Sequence, residues 1–136
     1  MMTKLDKVIL AVTTEQDVVS VRQCVREYAS KLGMSTLDQT KLMTAASELT
    51  RNIILYAGTG EVTIEHVTQA SKQGVKVIFT DTGPGILNIA EAMQDGYSSG
   101  KSLGVGLPGA KRLVNFFDIQ SKKGHGTTIT IIRWGK

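Results

Sequence analysis

The sequence predicts an α+β fold: a two-layer α/β sandwich whose mixed, mostly antiparallel sheet of four to five strands carries three main helices on one face. Three observations lead there. Several short runs alternate apolar and polar residues with a period of two, as half-buried strands do. Two longer segments place apolar residues at three-four spacing behind polar capping residues. The connections fit a mixed sheet rather than a doubly wound parallel one.

Taken in order, Lys4 to Val12 reads as a strand with Val8, Leu10 and Val12 on one face. Thr13 with Gln16 forms a capping-box pattern, and the helix behind it buries Val18, Val21, Val25, Tyr28, Ala29 and Leu32 before Gly33 stops it. Thr36 with Gln39 opens a second helix in the same way. Its stripe is Leu42, Ala45, Ala46, Leu49, Ile53 and Tyr56, and Gly58 and Gly60 end it. Glu61 to Val67 and Val75 to Thr80 are strands joined through the turn residues Ser71 to Gly74 as a hairpin. Leu87 to Met93 reads as a short helix, and Asp95 to Gly106 as a Gly- and Ser-rich mobile loop. Leu107 to Phe117 is helical, with Pro108 tolerated in the first turn. Ile119 to Ser121 and Thr127 to Arg133 close the sheet as two strands joined at Lys122 to Gly126.

A chain of 136 residues is one domain, 1–136, large enough for a substantial core. No apolar run approaches the roughly 20 residues of a membrane span. The first residues lack a signal-peptide pattern, so the expected location is cytoplasmic. Cys24 stands alone within an apolar helical pattern, which excludes an internal disulfide and reads as a core thiol. The formal charge, 16 − 12 = +4, suits an anionic small ligand or an acidic protein partner. No Lys/Arg block with interleaved aromatics points to nucleic acid.

Four stretches carry candidate chemistry. Glu48 and Asn52 are four apart and share one border of the second helix's apolar stripe, with Arg51 directed to the far side. A carboxylate and a carboxamide there can orient a nucleophile or hold Mg²⁺; alone, they are equally two solvated polar residues beside a core stripe. Val75, Val77 and Phe79 share a strand face, and Asp81 continues that parity into the turn Gly83-Pro84-Gly85-Ile86. A carboxylate at a core edge needs a hydrogen-bond partner, although Asp-Thr-Gly-Pro-Gly is also ordinary turn chemistry. Gly100-Lys101-Ser102-Leu103-Gly104-Val105-Gly106 precedes a helix, where exposed N–H groups and the helix dipole favour phosphate; it is not a P-loop. Finally, Gly126-Thr127 opens the last strand, where Thr127 can offer a hydroxyl or simply be a good strand residue, and His125 is a turn residue.

Together these stretches resemble the Bergerat ATP-binding fold of the GHKL superfamily, shared by gyrase, Hsp90, histidine kinases and MutL. Glu48-x-x-x-Asn52 looks like the N-box, Asp81-x-Gly83-x-Gly85 like the G1 box, Gly104-x-Gly106 like the G2 box and Gly126-Thr127 like the last motif. All four occur in family order and cover most of the chain. The resemblance implies that Asp81 accepts from the adenine amino group, with Gly83, Gly85 and Ile86 beside the nucleotide. It implies that Asn52 ligates Mg²⁺, that Gly100 to Gly106 form a lid over the phosphates, and that Thr127 supports Asp81, partly through water. The compact size, Gly96-Tyr97-Ser98-Ser99 and Gly104 to Leu113 are similar to those of bacterial anti-sigma-type serine/threonine kinases, in particular the stressosome switch kinases. Such kinases use ATP and Mg²⁺ to phosphorylate STAS-domain scaffold and antagonist proteins and, once released, activate a PP2C-type phosphatase. Glu48 would then be the base. The alternatives are an anti-sigma kinase that binds a sigma factor, or an ATP-gated binding module with little phosphotransfer.

Overall fold

A computed structural model describes residues 2–83, 106–122 and 124–135. Its elements are β1 (Met2–Val12), α1 (Glu15–Lys31), α2 (Thr36–Tyr56), β2 (Gly60–Gln69), β3 (Lys72–Asp81), α3 (Gly106–Arg112), β4 (Phe116–Lys122) and β5 (Gly126–Trp134). The strands form one five-stranded sheet in the order β1-β2-β3-β5-β4. Every pairing is antiparallel, so the mixed sheet expected from the connections is purely antiparallel among the described residues. The fold class is otherwise as the sequence predicts.

Helices α1 and α2 lay their apolar stripes on one sheet face. Val21 and Val25 of α1 and Leu42, Ala45, Ala46, Leu49 and Ile53 of α2 are buried against Val62, Ile64, Val75, Val77, Phe79 and Ile131. Burying these side chains supplies the main stabilisation, at about 25 cal/mol per Å² of apolar surface removed from water. Tyr56 departs from its predicted stripe: it sits on the helix's last turn and is exposed. Cys24 is half-buried against the core; burial, with Glu27 and Asp6 nearby, pushes its thiol up. It stays an uncharged core thiol, as expected.

Each helix begins one residue away from the predicted capping box. For α1 the cap is Thr14, and Asp17, not Gln16, reaches back to the Thr13 and Thr14 amides at 2.8 and 2.9 Å. For α2 the cap is Ser35, whose Oγ accepts from the Asp38 amide at 3.1 Å. Gln39 instead donates to the Met34 carbonyl at 2.7 Å. At α1 the shorter aspartate takes the place of the glutamine; at α2 the serine before the predicted threonine is the cap. The stops at Gly33 (φ 81°) and Gly58 (φ 87°) are as predicted.

The helix expected over Leu107 to Phe117 ends at Arg112. Asn115 explains why: its amide donates to the Ile132 carbonyl at 2.9 Å, and its Oδ1 accepts from the Trp134 amide at 2.8 Å. These bonds tie the chain to β5 and start β4 at Phe116, ahead of the predicted Ile119. The short helix expected over Leu87 to Met93, and the loop from Asp95 up to Val105, lie outside the described residues. No described helix is long and apolar enough to cross a membrane.

One guanidinium ties β5 to α2 and to the residue that follows α3. Arg133 of β5 donates through Nη2 to Asp38 of α2 at 2.6 Å and through Nη1 to the Leu113 carbonyl behind α3 at 2.8 Å. That guanidinium, with the Ser35 hydroxyl and Lys41, holds the Asp38 carboxyl below its ordinary value of 3.8. A carboxylate lowered by folding adds stability above its unfolded value and loses it as pH falls through the folded value. Thermal melts between pH 7 and pH 3 should therefore show Asp38→Asn less stable near neutrality and less acid-sensitive than the unmodified protein. Parallel melting curves for the two proteins across that range would exclude this contribution.

Candidate active site

The site is built where the C-terminal half of α2, the end of β3 and the start of β5 converge. Three glycines set the spacing. A Cβ at Gly60 would lie 2.8 Å from Ile53 Cγ2 of α2 and 3.3 Å from Asp81 Cβ, so only a bare backbone fits between that helix and Asp81. A Cβ at Gly83 would lie 2.6 Å from Ala57 Cβ, at the α2 C-cap. A Cβ at Gly126 would collide with the Asp81 carbonyl oxygen, and Gly126 also has φ +87°.

Asp81 holds the position its parity predicts. Val75, Val77 and Phe79 are buried on the helix side, and Asp81 ends the strand half-buried, opposite Gly60 and Thr127 in register. Its Oδ1 accepts from the Gly83 amide at 2.9 Å, so the glycine turn orients the carboxylate through its own backbone. Thr127 stands beside Asp81 on the neighbouring strand, and its hydroxyl is bonded to Ser121 Oγ at 2.7 Å. Ser121 also donates to the Gly126 carbonyl at 3.1 Å. Ser121 was not among the sequence candidates. The hairpin register that pairs Lys122 with Gly126, and hence Ser121 with Thr127, is the signal that would have found it.

On α2, Glu48 is buried and Asn52, one turn on, is half-buried. They share the helix border as predicted. Arg51 does not point away: its Nη1 donates to Glu48 Oε1 at 3.2 Å and its Nε to Glu15 Oε1 on α1 at 3.2 Å. The Glu48 contact is an ordinary i,i+3 pair that spacing within α2 allows, whereas the Glu15 contact, 36 residues away, is beyond it. Glu48 Oε2 is shut off from solvent and has no hydrogen-bond partner among the described residues. Among the described residues, no cluster of three or more His, Cys, Asp and Glu residues could hold a metal on its own. His125 is an exposed turn residue. Gly106 is the first residue of α3; Gly85, Ile86, Gly100, Lys101, Ser102, Leu103, Gly104 and Val105 lie outside the described residues.

Comparison with known proteins identifies the class. The family of histidine kinase-, DNA gyrase B- and HSP90-like ATPases matches residues 37–134, and the chain belongs to that family. Over 129 residues it is 47% identical to the serine/threonine-protein kinase RsbT of Bacillus subtilis (strain 168), covering 95% of this chain and 97% of that protein. By that kinship it is a serine/threonine protein kinase. The solved RsbU and RsbW domains of a Mycobacterium tuberculosis protein share the fold at TM-score 0.63 and 20% identity, over 97% of this chain. This chain spans 33% of that one. A mycobacterial sensor histidine kinase, MprB, matches at TM-score 0.55 and 20% identity over 95% of this chain and 99% of the other.

The close approach at Gly126 is open to test. Gly126→Ala should push β5 away from Asp81, lowering the melting temperature by the equivalent of roughly 1–3 kcal/mol of overpacking. ATP affinity should fall with it if Asp81 binds nucleotide, because the same contact positions Asp81. A variant that melts and binds nucleotide like the unmodified protein would show that the approach is not needed.

Proposed function

We propose that this chain transfers the γ-phosphoryl group of Mg·ATP to a serine or threonine of a STAS-domain protein in a stress-signalling switch. Once released from that partner, it binds and activates a PP2C-type phosphatase. The partner classes and a cytoplasmic setting follow from the resemblance to the stressosome switch kinases. Kinship with RsbT supports the kinase chemistry. The observation that carries the reading is a buried carboxylate, Glu48, with one oxygen unpartnered, one helical turn from a half-buried carboxamide, Asn52. Nucleotide binding alone gives no reason for a carboxylate at that place.

The residues fit the nucleotide and its metal. Asp81 is pinned through Oδ1, leaving Oδ2 to accept from the adenine amino group, with Thr127 beside it. The Asn52 carboxamide is half-buried one helical turn from Glu48, and its oxygen is a hard donor of the kind Mg²⁺ takes. Bound Mg²⁺ would neutralise charge on the phosphate oxygens. Glu48 accepts the proton of the incoming hydroxyl as its oxygen bonds to the γ-phosphorus. The bond from that phosphorus to the β,γ-bridging oxygen breaks, and ADP leaves with the electron pair. The rest of catalysis is positioning and charge neutralisation.

Three substitutions separate these roles. Asp81→Asn should keep the fold but lose roughly 2–3 kcal/mol of ATP affinity, since an amide can present a donor to the adenine amino group where an acceptor is required. Calorimetry showing unchanged affinity would remove Asp81 from the adenine site. Asn52→Ala should weaken Mg·ATP binding and transfer together. Glu48→Gln should leave Mg·ATP affinity nearly unchanged and slow single-turnover transfer about 10²–10⁴-fold, the usual contribution of a positioned base. Transfer by Glu48→Gln at the unmodified rate would end the base assignment. If the unmodified protein phosphorylates no STAS partner yet stimulates a phosphatase, it is an ATP-gated binding module instead.

A further inference from the structure

Among the described residues, Arg51 is a cation paired with the proposed base, and its contacts are specific. The Glu48 side chain is only 11% exposed, so its carboxylate has little water to solvate it. Arg51 engages one of its oxygens, Oε1, and leaves Oε2 without a partner among the described residues. The same guanidinium uses a different edge, Nε, to reach Glu15, at the start of α1. The two carboxylates thus hold the planar fork from two sides. Glu15 lies before the region matched by the ATPase family model, so this link joins the helix that carries the motif to an element outside it.

From this geometry we propose that Arg51 is the positioning residue for Glu48, with Glu15 as its tether. The proposal rests on the reading of Glu48 as the base. A terminal carboxylate rotates in a broad, two-fold well. With Oε1 engaged by Arg51, that rotation is restrained and Oε2 is the oxygen presented to the acceptor hydroxyl. The hydrogen bonds of Arg51 go to Glu48 and Glu15, so the proposal gives it a part in transfer and none in nucleotide binding. Glu15 is 67% exposed, and an exposed ion pair contributes little by itself, so its part is to restrain the arginine.

The test is single-turnover phosphoryl transfer to a purified STAS-domain substrate, with Mg·ATP affinity titrated in parallel. Arg51→Ala should slow transfer about 10–100-fold, the scale of a misplaced catalytic group, while Mg·ATP affinity stays within about twofold. Arg51→Lys should recover part of the rate, because it retains the charge but not the two-edged fork. It also keeps the test available should the alanine variant not fold. Glu15→Gln should cost only a few-fold. The decisive comparison is a cycle with Glu48→Gln. If Arg51 acts through Glu48, Arg51→Ala produces no further loss in that background. An equal loss in both backgrounds, or an ATP affinity that falls in step with transfer, overturns the positioning role and leaves Arg51 structural. Unmodified transfer by Glu48→Gln alone defeats the base reading instead, so the two failures are distinguishable.

Discussion

The rotation of α2 about its own axis is the constraint on which the site depends. Leu42, Ala45, Ala46, Leu49 and Ile53 form one buried stripe against the sheet, and none can leave it without exposing apolar surface. At about 100° per residue, that stripe fixes the direction of every other α2 side chain. Glu48 and Asn52 fall on its border because Leu49 and Ile53 lie at its centre. A rotation large enough to turn them to solvent would unpack the core. The hydrophobic effect, which has no direction of its own, thereby aims two polar groups.

The sheet contributes a second constraint of a different kind. Hydrogen-bonded register places Gly60, Asp81 and Thr127 in one row across three strands. A one-residue slip would turn Asp81 to the opposite face and expose Phe79. Gly60 in that row, and Gly83 and Gly126 next to it, let backbones approach where any side chain would collide. Packing thus sets where the helix border lies, and register sets where the strand's carboxylate lies. The two meet where Ile53 and Asp81 both crowd against Gly60.

What the residues disclosed, and what they withheld, follows from the range of the interactions. Periodicity is local, so the stripes of α1 and α2, the parity of Asp81 and the pairing of Glu48 with Asn52 were legible. The helix starts missed by one residue because adjacent residues, Thr13 and Thr14 before α1 and Ser35 and Thr36 before α2, are all able to cap, and a fixed spacing cannot rank them. The end of α3 was hidden because Asn115 is held by Ile132 and Trp134, on a strand that comes later in the chain. Arg51 was misread in part for the same reason, although its contact with Glu48, three residues away on one helix, lay within reach of spacing. Its partner on α1 is visible only when the two helices lie side by side.

The Glu48 carboxylate is also the place where stability and chemistry diverge. A buried oxygen with no partner costs free energy, on the order of 1–3 kcal/mol for an unsatisfied polar group, and a leucine of similar size would avoid that cost. Arg51 offsets part of it at Oε1 and does nothing for Oε2. A second donor at Oε2 would stabilise the folded chain further, but it would compete for the oxygen that, in the proposed role of Glu48, accepts a proton. An arrangement that satisfies one oxygen and spares the other is therefore poor as a core and suitable as a base. Local rules for a stable interior fail at this residue, and a site that performs phosphoryl transfer is where such a failure is expected.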